Sequence, residues 1–65
     1  MLVSINGVQK KVKNDLLVDN LVTELNLTGR FAIEINGEII PKSTYSRLVI
    51  KENDQIEVVG AVGGG

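Results

Sequence analysis

The stretch RFAIEINGEIIPK, residues 30–42, decides the fold. Phe31, Ile33 and Ile35 alternate with Ala32 and Glu34, the period of two expected of a half-buried strand. Asn36-Gly37 follows at once, and a type I′ turn needs positive φ at both central residues, which this pair supplies. Residues 38–40 then predict a short returning strand. Pro41 stops it, because proline has no N–H to give a ladder.

The same chemistry recurs toward the N-terminus in MLVSINGVQKKV, residues 1–12. Met1, Val3 and Ile5 share one face, Asn6-Gly7 makes the turn, and Ile5 should meet Val8 across it. Val12 continues the Val8 face, while Lys11 and Lys13 point to solvent. Between the hairpins, in residues 14–30, Val18, Leu21, Val22 and Leu25 fall at i, i+3, i+4 and i+7, one face of a helix. Asp19 suits its first turn. Leu17 stands where a capping Ser or Thr is expected, and Thr28-Gly29 reads as the stop.

Toward the C-terminus, KSTYSRL (residues 42–48) predicts a turn or one helical turn that tucks Tyr45 and Leu48 under the sheet. KEND (residues 51–54) is a turn, with Asn53 tolerating positive φ. QIEVVGAV (residues 55–62) is the last strand, with Ile56 and Val58 inward and Glu57 and Val59 outward. The expectation is an α+β fold, a mixed sheet of four to five strands packed on one helix. The domain should take in residues 1–59, and residues 60–65 a flexible glycine-rich tail.

Composition narrows the function. A chain of 65 residues buries only ~60% of its unfolded surface, so its core is marginal. There is no Cys and no His, which excludes a Cys–His pair, a Ser–His–Asp triad and the usual zinc sites. The expectation is no metal and no catalytic side chain. Glu34 and Glu38 flank a turn and read as solvated charges, not as a catalytic pair. A net charge of −1 argues against nucleic acid. The first 33 residues carry four basic and three acidic groups, the last 32 three basic and five acidic, so the C-terminal half suits a basic partner surface. Lys10, Lys11, Lys13 and Asp15 leave no room for an export signal or a membrane span early in the chain, and a cytoplasmic location is expected.

What remains is the end, GAVGGG, residues 60–65. The Gly65 carboxylate is ionised at neutral pH. It can attack the α-phosphorus of ATP to give an acyl-adenylate, provided it enters a partner's nucleotide site. Glycine lets a chain pass a narrow channel and adopt unusual φ/ψ values. Residues 60–65 reach ~20 Å when extended. Three glycines also fit a frayed end. An inert tail is usually Ser-rich or charged, however, and here Ala61 and Val62 precede the glycines. With Val59 they form an apolar stripe of the kind that marks a contact surface.

These residues resemble a known family. The order of elements looks like the ubiquitin-like β-grasp, and VDNLVTEL, AIEINGEIIPKSTY and NDQIEVVGAVGGG are most similar to the ThiS family, bacterial sulfur carriers of thiamine biosynthesis. The resemblance covers essentially the whole chain. It implies that the C-terminal glycine is adenylated by an ATP-dependent adenylyltransferase of the ubiquitin-activating type. A sulfur-relay protein then converts it to a thiocarboxylate, which gives sulfur to thiazole synthase. By the same resemblance Gly65 bears the sulfur, Gly63 and Gly64 thread the partner site, and Val59, Ala61 and Val62 lie at the docking surface. ATP is consumed by the partner and is not held by the carrier. Two positions depart from the family pattern: Leu17, where Thr is common, and Asn53, where Gly is common. Beside a small β-grasp binding module whose tail does nothing, two alternatives stay open. One is the small subunit of molybdopterin synthase, whose members are longer and carry a Pro-containing segment before Gly-Gly; here the one Pro is Pro41. The other is a ubiquitin-like protein modifier.

Overall fold

Asn6 and Asn36 take φ of 51° and 52°, and Gly7 and Gly37 follow at 82° and 87°. Two consecutive positive values are the signature of the type I′ turn. Both hairpins therefore turn where the Asn-Gly pairs place them. The structure, a computed structural model, describes residues 1–60. β1 (Leu2–Ile5) and β2 (Val8–Lys11) pair antiparallel, with Ile5 opposite Val8. β3 (Phe31–Ile35) and β4 (Glu38–Ile39) pair antiparallel, with Ile35 opposite Glu38. β4 is one residue shorter than expected, although the Ile40 amide still donates to the Ile33 carbonyl at 2.8 Å.

β5 (Gln55–Gly60) joins the two hairpins into one five-stranded sheet of order β2-β1-β5-β3-β4. It runs parallel to β1 and antiparallel to β3. Alternation then sorts the side chains. Val3, Ile5, Ile33, Ile35, Ile56 and Val58 face the helix. Ser4, Ala32, Glu34, Gln55, Glu57 and Val59 face away.

The helix, α1 (Val18–Glu24), lays Val18 and Leu21 into the core. Its start needs no capping hydroxyl. The Val18 and Asp19 amides, which a helix leaves without internal partners, donate to the Leu48 and Tyr45 carbonyls at 3.0 Å each. The Leu17 amide donates to Asn20 Oδ1 at 3.1 Å, the reverse half of a capping box. Leu17 is thus free to be apolar, and it forms an isolated bridge with Val49.

The stop differs from the Thr28-Gly29 expectation. Asn26 takes φ 55°, its amide donates to the Thr23 carbonyl, and the Leu27 amide donates to the Val22 carbonyl, each at 3.1 Å. That pair of bonds is a Schellman cap, and Asn is one of the few side chains that tolerate its left-handed position. Gly29, at φ 72°, bends the connection to β3 instead.

Beyond β4 a 3₁₀ turn over Lys42–Thr44 delivers Tyr45 into the core, as expected, with Leu48 half-buried behind it. The Tyr45 and Phe31 rings stack with centroids 6.4 Å apart, and Lys42 Nζ lies 4.8 Å from the Phe31 centroid. Asn53 takes φ 68°, the conformation for which glycine is otherwise preferred. The sealed core is Val3, Leu16, Val18, Leu21, Ile33, Ile50 and Ile56. Leu16 and Ile50 sit outside every helix and strand, tied by an Ile50 amide to Leu16 carbonyl bond of 2.8 Å. Among the described residues no charged side chain is buried, and no helix is long and apolar enough to cross a membrane.

Candidate functional site

The candidate site is the end of β5. The strand closes on Gly60, opposite Phe31 of β3, one residue into the stretch expected as tail. Val59 pairs with Ala32, lies on the outer face as alternation requires, and is 53% exposed. Ala61, Val62, Gly63, Gly64 and Gly65 lie outside the described residues. On the inner face Ile56 is sealed while Val58 is only half-buried, so the tight part of the core ends two residues before Val58.

β5 is held from both flanks by the asparagines of the two turns. On the β3 side, the Asn36 amide donates to the Gln55 carbonyl at 2.8 Å, and Asn36 Oδ1 accepts the Gln55 amide at 2.9 Å. Asn36 Nδ2 then donates to Asp54 Oδ1 at 3.0 Å. On the β1 side, the Asn6 amide donates to the Ile56 carbonyl, and Asn6 Oδ1 accepts the Val58 amide, both at 2.8 Å. The sequence marks these asparagines only as turn formers. Their bonds to β5 reach across 19 and 52 residues, and no local pattern signals them.

Around Val59 the outer face is mixed. Glu57 of β5 lies opposite Glu34 of β3, and Glu34 in turn opposite Ile39 of β4, which is 70% exposed. Glu38 pairs with Ile35, whose side chain faces the helix, so Glu34 and Glu38 project from opposite faces of the sheet. They form no carboxylate pair. Among the described residues no group of three or more His, Cys, Asp or Glu side chains converges. The arrangement is a central strand that carries an apolar, partly acidic outer face as far as Gly60.

Comparison with known proteins agrees with this geometry. The model of the ThiS family matches residues 3–65. A thiazole synthase of Paramagnetospirillum magneticum is 36% identical over 66 residues, covering 100% of this chain and 20% of that protein. The chain thus spans about one fifth of the length of the thiazole synthases it matches. A ycf40 protein of Porphyra purpurea is 31% identical over 64 residues, covering 97% of this chain and 90% of its own. The crystal structure of the thiamine biosynthesis protein ThiS from Geobacter metallireducens matches with a TM-score of 0.85 at 26% identity, over 100% of both chains. The sheet order and single helix are those of the ubiquitin-like β-grasp expected from the resemblance.

Proposed function

Since the chain belongs to the ThiS family, we propose that it is a sulfur carrier of thiamine biosynthesis whose Gly65 carboxyl is activated and converted to a thiocarboxylate. The observation that carries this reading is that the family match runs through the glycines to residue 65, and that these follow in sequence the central strand β5, which closes on Gly60.

The steps follow from the chemistry of a carboxylate. The Gly65 carboxylate attacks the α-phosphorus of ATP in the site of a ubiquitin-activating-like adenylyltransferase, and pyrophosphate leaves. Hydrosulfide supplied through a sulfur-relay protein attacks the acyl-adenylate carbonyl; the carbon–sulfur bond forms as the carbon–oxygen bond to AMP breaks, and AMP leaves. The resulting thiocarboxylate is the sulfur donor to thiazole synthase. This chain supplies the reacting carboxyl and a docking surface, so it acts as a co-substrate and holds no cofactor of its own. Val59, Ala61 and Val62 form the apolar contact, and Gly63 and Gly64 thread the partner site. The thiazole synthase of Paramagnetospirillum magneticum supports that choice of acceptor, since a segment similar to this whole chain lies within its sequence. An ATP-consuming relay of this kind places the carrier in the cytoplasm.

The test is intact-protein mass after incubation with ATP, a cognate activating enzyme and a sulfur source. The expected result is the mass gain of one oxygen replaced by sulfur, localised to Gly65, and its loss when Gly64 and Gly65 are deleted. No gain with demonstrably active enzyme overturns the reading. Lysine-linked conjugates in place of the gain assign the chain to protein modification.

A further inference from the structure

We propose that Asn6 is a positioning residue for the carrier tail, its carboxamide fixing the direction in which the chain leaves the sheet; this rests on the carrier reading above. β1 pairs with β5 only through Ser4–Gln55 and Ile5–Ile56, because the chain turns away at Asn6-Gly7. β5 runs on for four residues past Ile56. By strand alternation the amides of Ile56 and Val58 face the β1 side, and those of Glu57 and Val59 face β3.

The last backbone rung on the β1 side is the bond from the Asn6 amide to the Ile56 carbonyl. The next donor, the Val58 amide, has no β1 backbone left to meet, and Asn6 Oδ1 accepts it at 2.8 Å. The side chain thus adds one rung beyond the end of β1. The turn itself sets this geometry, since φ 51° at Asn6 is the value the type I′ turn imposes.

A rung at this place matters for a threaded tail. Residues 61–65 span ~17 Å when extended, so a small angular error at Val58 becomes a large displacement at Gly65. On the β3 side, pairing continues to Phe31–Gly60. With Asn6, the strand is held on both edges as far as Val58. A base held in the bound direction lowers the ordering cost when the tail enters a narrow site. The effect belongs in how well the carrier is captured, and only weakly in the chemical step.

The turn permits a clean comparison. Asn6→Gly keeps the positive φ and removes the acceptor. Asn6→Asp keeps both. The measurement is ATP–pyrophosphate exchange by the activating enzyme with the carrier as varied substrate, alongside hydrogen exchange of the Val58 amide. Asn6→Gly should raise KM for the carrier about 3- to 10-fold, the range of one lost hydrogen bond, with kcat within about twofold and faster Val58 exchange. Asn6→Asp should return both to wild-type values. An unchanged KM in Asn6→Gly despite faster Val58 exchange overturns the inference, as does failure of Asn6→Asp to rescue. If the wild-type carrier supports no exchange with an enzyme active on another carrier, the carrier reading falls, and the inference with it.

Discussion

Glu34 and Glu57 stand directly opposite each other on the outer face of β3 and β5. Like charges at facing positions of an antiparallel pair repel, and no core packing depends on either side chain. Their neighbours Ile39 and Val59 are exposed hydrophobic residues, so the sheet presents a negative centre with an apolar margin beside the start of the tail. Glu57→Lys should therefore stabilise the domain by about 0.5 kcal/mol. Urea denaturation at low and high salt checks this: the wild type should gain from added salt and the variant should gain less.

Ile56 and Val59 lie three residues apart on β5 and should behave as opposites. Ile56→Ala removes a side chain that is 1% exposed and should cost about 2–5 kcal/mol, enough to unfold much of a domain this small. Val59→Ala should change stability by no more than about 0.5 kcal/mol, as expected of an exposed site. Val59→Ala should instead weaken capture by the activating enzyme, read as a raised KM at unchanged melting temperature.

Asn26, and not Gly29, is the residue that ends the helix. Asn26→Ala should cost about 1 kcal/mol, because a Cβ without a polar side chain strains the left-handed cap. Asn26→Gly should lie within about 0.5 kcal/mol of wild type. Equilibrium denaturation of the two variants separates this cap from one at Gly29.

Burial pushes the Tyr45 phenol above its ordinary value of 10.0, with a backbone hydrogen bond at Ile33 opposing the shift. The folded state thus holds the phenolic proton more tightly than the unfolded state. The contribution is complete below pH 10.0 and is lost as pH rises through the folded value. Wild type should lose more stability than Tyr45→Phe between about pH 9 and about pH 11, a comparison that cancels the lysines titrating in the same range. Because Tyr45 is the one tyrosine and there is no tryptophan, ultraviolet absorbance reads its ionisation alone.

Local chemistry made most of the architecture legible. Two Asn-Gly turns, one apolar helical stripe and one alternating final strand predict the elements in order, because each depends on neighbours a few residues away. The parallel pairing of β1 with β5 has no such signature. Leu16 and Ile50 reach the core from irregular segments, where no period exists to reveal them. Leu17 breaks the capping pattern because carbonyls of Tyr45 and Leu48, far along the chain, take the first-turn amides. At the site, alternation was enough to turn Val59 outward. Local sequence marks Asn6 and Asn36 only as turn formers, since the second role of their carboxamides depends on a strand many residues away.

The central place of β5 has a consequence for the order in which the molecule is completed. The β1–β2 and β3–β4 hairpins share no backbone pairing with each other, and isolated hairpins are marginal in water. They become one sheet only when β5 slots between them. The strand that completes the fold is also the strand that offers the glycines. Under the proposed carrier role, a chain in which β5 has not slotted between the hairpins should be a poor substrate for the activating enzyme.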